Sequence, residues 1–166
     1  MKRRLFVFLL SLSILFVLGG CNSTLKDSSN TLEITQTDEK IIQEYLDTKT
    51  NDISSPYRGG KMYSAFRILG TDSNKIYVWM LKYENLKQSN ELTNGVSIPI
   101  VLYIETKGDK IEIDNHKYPK DGVEYGRSLG KLFPQNVRDE MSNNNNELIG
   151  QLEEIIRNRI KSDTGI

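Results

Sequence analysis

Residues 61–83 read KMYSAFRIL, then GTDSN, then KIYVWMLKY, and this stretch decides the fold. Its two outer segments, residues 61–69 and 75–83, are rich in β-branched and aromatic side chains. Between them lie Gly70, Thr71, Asp72, Ser73 and Asn74, all turn formers, so the stretch reads as a β-hairpin with a longer loop. Alternate residues of a strand point to opposite faces, which divides the side chains into two sets. With the next strand included, one set is Met62, Phe66, Ile68, Ile76, Val78, Met80, Ile98, Ile100, Leu102 and Ile104, the face expected beneath helices. The other is Tyr63, Ala65, Arg67, Leu69, Tyr77, Trp79, Leu81, Tyr83, Val101 and Tyr103, which is amphipathic, aromatic and carries a cation. Tyr, Trp and Arg suit both a half-wet sheet face and a recognition surface. If the sheet carries a binding surface, the candidates are Arg67, Tyr77, Trp79 and Tyr103, unless the C-terminal helix covers them.

The hairpin is one half of a larger sheet. Residues 84–95 are polar and read as irregular; residues 96–105 (VSIPIVLYIE) then supply a third strand. Gly108 and Asp109 turn it into a fourth at residues 110–116 (KIEIDNH). Pro99 has no backbone donor, which places it at an edge, a strand start or a bulge. Before the strands, residues 37–47 (TDEKIIQEYLD) predict a helix: Thr37 can cap it, Asp38 and Glu39 suit its positive end, and Ile41, Ile42, Tyr45 and Leu46 share a face. After them the period is helical again. Residues 123–133 predict a helix with Tyr125, Leu129, Leu132 and Phe133 on one side, and Pro134 opens a turn carrying Val137 and Met141. Asn143 to Asn146 read as a spacer. Residues 147–161 place Leu148, Leu152, Ile155, Ile156 and Ile160 at helical spacing. The order helix, strands, helices predicts an α+β domain: an antiparallel four-stranded meander with N-terminal and C-terminal helices packed on one face.

The N-terminus is of another kind. Lys2, Arg3 and Arg4 precede an apolar run at residues 5–18 (LFVFLLSLSILFVL), and small residues follow at Gly19 and Gly20. That is the build of a secretory signal, and the run is short of the roughly 20 residues a bilayer span needs. Leu18, Gly19, Gly20 and Cys21 resemble the bacterial lipobox read by signal peptidase II. The resemblance implies a prolipoprotein: diacylglyceryl transfer to the Cys21 sulfur, then cleavage between Gly20 and Cys21. The thiol is required as nucleophile, and as the chain has one cysteine, no structural disulfide competes for it. Asn22 follows the cysteine. The expected organisation is a signal peptide at 1–20, a lipidated Cys21 and a flexible Ser/Thr/Asn-rich tether at 21–36, and a single domain at 37–166.

The chain has 22 basic and 22 acidic residues. Removal of residues 1–20 takes three of the basic ones and none of the acidic, leaving 146 residues at a net −3. That balance gives no reason to expect nucleic acid, nor strong adhesion to anionic lipid beyond the anchor itself. Chemistry finds little purchase. His116 is the one histidine and lies in a polar stretch (DNHKYPKDG), suiting a surface or strand-end role. Asp109, Glu112 and Asp114 match neither a calcium loop nor a zinc pattern. No phosphate-binding glycine loop or nucleophile elbow is present. No catalytic residue, metal or cofactor is expected, apart from the covalent diacylglycerol.

Val78-Trp79-Met80, Gly95-Val96-Ser97-Ile98-Pro99, Pro119-Lys120-Asp121-Gly122 and Leu132-Phe133-Pro134 carry one further resemblance, over roughly half the processed chain. They look like a group of small exported domains of Gram-positive bacteria, and the resemblance implies no activity. The expectation is a lipoprotein held on the extracytoplasmic face of the cell membrane, acting as a non-enzymatic module that binds an extracellular protein or small ligand. The alternatives are an envelope hydrolase using acidic residues with water, or an inhibitor or immunity-type protein.

Overall fold

Four strands lie side by side in space in the order they follow in sequence. In the computed structural model, which describes residues 32–86, 91–142 and 145–165, β1 (Lys61–Asp72), β2 (Lys75–Asn85), β3 (Leu92–Lys107) and β4 (Lys110–Lys117) form one antiparallel sheet, ordered β1-β2-β3-β4. The register aligns Phe66 with Met80 and Ile98, and Ile68 with Val78 and Ile100, so the apolar set expected from the alternation forms one continuous face. The signal segment, the Gly20 and Cys21 cleavage point and residues 22–31 of the tether lie outside the described residues.

Strands 2 and 3 run further than the sequence pattern suggests. Glu84 and Asn85 stay in β2, and Leu92, Thr93, Asn94 and Gly95 already belong to β3. Their polarity hid them, because here the strand ends support a loop. Asn94 takes a left-handed φ of 48° beside a register shift near Tyr83. A Cβ on Gly95 would lie 2.0 Å from the Tyr83 ring, so the ring covers the glycine across the strand pair. Pro99 is tolerated because β4 ends opposite Val101, leaving β3 locally at an edge.

The first helix, α1 (Gln36–Thr48), starts at Thr35 rather than at Thr37. The Thr35 hydroxyl accepts from the Asp38 amide at 3.2 Å and Asp38 accepts the Thr35 amide at 3.0 Å, a reciprocal capping box. Packing begins earlier still: Leu32 and Ile34 lie against the core, ahead of the Thr37 boundary. Ile42 and Leu46 of α1 bury against Ile76, Val78, Met80, Ile100, Leu102, Ile104 and Ile111. Each such aliphatic side chain contributes about 1.5–3 kcal/mol on full burial.

Helices cover both faces of the sheet, not one. After a 3-10 turn (Gly122–Glu124) come α2 (Tyr125–Leu132), α3 (Gln135–Ser142) and α4 (Asn145–Thr164), all on the face opposite α1. Phe133, Val137 and Met141 bury Leu69, Tyr77 and Val101. Leu148, Leu152, Ile156 and Ile160 bury Tyr63, Ala65 and Leu81. The aliphatic residues among the aromatic set explain this, since they leave that face too apolar for water. Gly70 lets α3 approach: a Cβ there would meet Val137 at 3.1 Å.

Candidate functional site

The four residues proposed from the sequence do not form an open aromatic face. Tyr77 is only 4% exposed and its ring lies 5.8 Å from that of Phe133. Arg67 is half-buried and donates to Glu140 of α3 at 2.9 Å. Trp79, its cross-strand neighbour, donates its indole N–H to Ser97 at 2.8 Å. Tyr103 is half-buried, with the Lys117 ammonium 5.3 Å and the Lys75 ammonium 6.0 Å from its ring centroid. Arg67 and Tyr77 are absorbed by the helices.

The open ground lies on the other side of the sheet, along α1. Between α1 and the edge strand β1 runs a groove of about 530 Å³, floored by Phe66 and Ile68 and closed on one side by Ile155 of α4. Gln36, Glu39, Lys40 and Gln43 form its rim. Ile155 was expected in the core stripe, but it is 45% exposed and serves the groove instead. A second groove, about 450 Å³, separates α1 from β4 and is lined by Tyr45, Lys49, Lys107, Lys110 and Glu112 among others.

One end of the first groove is sealed by a polar cluster. Ser64 sits on edge strand β1 and turns both backbone groups away from β2. Its amide donates to Asp47 Oδ1 at 2.9 Å, and its carbonyl accepts from Gln43 at 3.1 Å and from Arg159 at 2.5 Å. Arg159 reaches round the edge from α4 and also holds Asp47 of α1 at 2.6 Å. Charged hydrogen bonds of this kind blunt a strand edge that would otherwise pair with another chain. The antiparallel alternation turns the peptide groups of Phe66 and Ile68 to the same side as Ser64's, where the groove begins.

Behind Ser64 lie two fully buried charged side chains, Lys82 and Glu84. Lys82 donates to the Thr50 hydroxyl at 2.9 Å; burial pushes its ammonium below the ordinary lysine value, against the pull of Asp47 and Asp52. Glu84 accepts the amides of Tyr57, Arg58 and Gly60 at 2.7–2.9 Å. Burial opposes its charge, yet those three donors hold the carboxyl below its usual range. Glu84 is therefore the peg on which the loop after α1 hangs, and a Cβ on Gly60 would strike the Asn85 carbonyl at 2.5 Å. The signal for this cluster was in the sequence: Ser64, Lys82 and Glu84 occupy the inward register of the apolar face.

His116, the penultimate residue of β4, is held on both nitrogens. Nδ1 lies 3.0 Å from the Tyr45 hydroxyl and Nε2 lies 3.1 Å from Asp52, while the ring stacks on Tyr118. In outline this is nucleophile, base and orienter. Burial, with the charges of Asp52 and Asp114 adding to it, raises the Tyr45 phenol above its ordinary value. The arrangement ties α1, the following loop and β4 together, the strand-end role read from the sequence. Among the described residues no group of three or more His, Cys, Asp or Glu side chains is placed to hold a metal ion, and no helix is long and apolar enough to cross a membrane.

The fold is thus an α+β meander with a helix layer on each face and an open groove along its first edge. No family model, curated protein or solved structure matches the chain.

Proposed function

We propose that this protein is a lipid-anchored envelope lipoprotein whose domain binds an extended segment of an extracellular partner in the groove between α1 and β1, without enzymatic action. The anchor rests on Leu18, Gly19, Gly20 and Cys21 following a secretion signal. A single acyl chain binds membranes marginally, whereas the two of a diacylglyceryl group hold stably at about 0.8 kcal/mol per buried methylene. The binding role rests on one observation: the groove joins an apolar floor to the outward backbone of Phe66 and Ile68. Strand addition at a sheet edge uses those two elements, main-chain hydrogen bonds for affinity and side-chain pockets for selection.

Two experiments test the two halves. Intact mass of protein extracted from its membrane should show a chain beginning at Cys21 with a diacylglyceryl adduct, and Cys21→Ser should leave precursor or poorly retained product. A normally sized, membrane-retained Cys21→Ser protein defeats the anchor. For the groove, a photo-cross-linker at Lys40 in intact cells should give one discrete adduct that Ile155→Asp removes. An adduct pattern equal to that from a cross-linker at exposed Glu105 defeats the groove.

A further inference from the structure

The net −3 expected of the processed chain, residues 21–166, hides an uneven distribution. Beyond β4 the chain carries Lys117, Lys120, Arg127 and Lys131 within one short stretch, against only Asp121 and Glu124. Lys120 and Arg127 converge on Glu124, at 3.3 and 3.5 Å, and Lys120 also donates its amide to Ser128. At the tip, Gly122 takes a φ of 66°, a left-handed turn that glycine adopts at no steric cost. It projects Val123, which is fully exposed, and Tyr125 beyond it is 40% exposed. Val123 stands in the 3-10 turn ahead of α2, and Arg127 and Lys131 lie four residues apart on α2, so the two cations share one exposed ridge behind the apolar tip, while Leu129 and Leu132 face the sheet cluster.

We infer that this ridge is a second membrane contact, by which the tethered domain lies down on an anionic phospholipid bilayer; the inference rests on the lipid-anchor reading above. Cations at an anionic surface and an apolar tip flanked by tyrosine are the two parts of an interfacial site. The placement agrees with the tether. Gly70, Tyr77, Val101 and Lys117 stand in register across the four strands. Thr71, next to Gly70, holds the Leu32 carbonyl at 3.0 Å. The chain therefore enters the domain at the sheet level where Lys117 leaves it, three strand spacings or about 14 Å away. The eleven residue steps from Cys21 to Leu32 span at most about 40 Å even when fully extended, so a bilayer holding Cys21 is within reach of the ridge.

The test uses the acylated protein in nanodiscs of phosphatidylcholine alone or with phosphatidylglycerol, read by amide hydrogen exchange. Residues 120–127 should exchange more slowly on the anionic discs, while residues 75–83 are unchanged. Each cation near the surface is worth about fivefold, so Arg127→Gln with Lys131→Gln should reduce docking about thirtyfold. Val123→Asp should likewise abolish the difference. All three positions are exposed, so the fold survives these changes, and the unchanged 75–83 signal verifies it. Equal exchange on both discs, or protection that outlasts the substitutions, overturns the ridge. Protein that lacks the adduct and fails to enter the discs overturns the anchor and the ridge with it.

Discussion

Lys82 is a buried ammonium whose one side-chain hydrogen bond runs to a hydroxyl, and that sets a testable sign. Its folded pKa lies below that of a free lysine, about 10.4, because burial disfavours the charge. Below the folded value the amine is charged in both states and the full penalty applies. As pH rises from there toward the free value, the unfolded chain holds more protons, so the folded state gains stability. Lys82→Met keeps the length and removes the charge, and the Thr50 hydroxyl keeps its bond to the Leu46 carbonyl at 2.6 Å. The variant should be more stable than the parent at pH 7 by about 1–2 kcal/mol, as when other buried charges yield to apolar isosteres. The gap should narrow by pH 10. Denaturant midpoints at both pH values measure it, and a destabilised Met variant with a pH-independent gap would refute the assignment.

Elements were legible where their pattern was local. The alternation in residues 61–83 specified two strands and two faces, and the register honours both. The start of α1 was misplaced by two residues, because Thr35 and Thr37 both suit a cap and only the tertiary contact chooses. Asp38 is the reason: besides Thr35 it accepts the Ile111 amide at 3.1 Å, fixing the helix start to β4. Burial works against the Asp38 charge, but the hydrogen bonds from Thr35 and Ile111 prevail and hold its carboxyl below the ordinary value. The stability so gained is complete above the ordinary aspartate pKa, about 3.9. It is lost as pH falls through the lower folded value. Asp38→Asn should therefore cost about 1–2 kcal/mol at pH 7, in the range of lost caps. Parent and variant should converge in acid unfolding as the pH falls through that lower folded value; an offset that stays constant to the acid limit would show that the carboxylate charge is not what holds the cap.

At the scale of the whole molecule the sheet separates two helix layers, and the pattern in the sequence could not say that both exist. Both faces carried enough aliphatic surface to need cover, while the aromatic residues made one of them resemble a surface. The groove was illegible for a related reason: it depends on Ile155 facing outward from a stripe that otherwise points in, a choice made by where α4 lies against β1. The same placement lets Arg159 cross the edge strand and join the layers. One guanidinium bonds Asp47 of α1 and the Ser64 carbonyl, and Tyr63 lies under it at 5.8 Å. The pair is largely shielded from water, its side chains 31% and 19% exposed, so it keeps more of its strength than a surface pair. Arg159→Ala should cost about 2 kcal/mol, the range for hydrogen bonds to charged groups. Arg159→Lys should recover little, because a lysine cannot span carboxylate and carbonyl with one planar fork. If Arg159 couples the layers, its loss should speed amide exchange in α1 as well as in α4, although the two helices pack on opposite faces. A double-mutant cycle with Asp47→Ala should return a coupling of about 1–2 kcal/mol. Additive losses, with faster exchange confined to α4, would mean that the layers are held by the sheet alone and that Arg159 only caps the edge of β1.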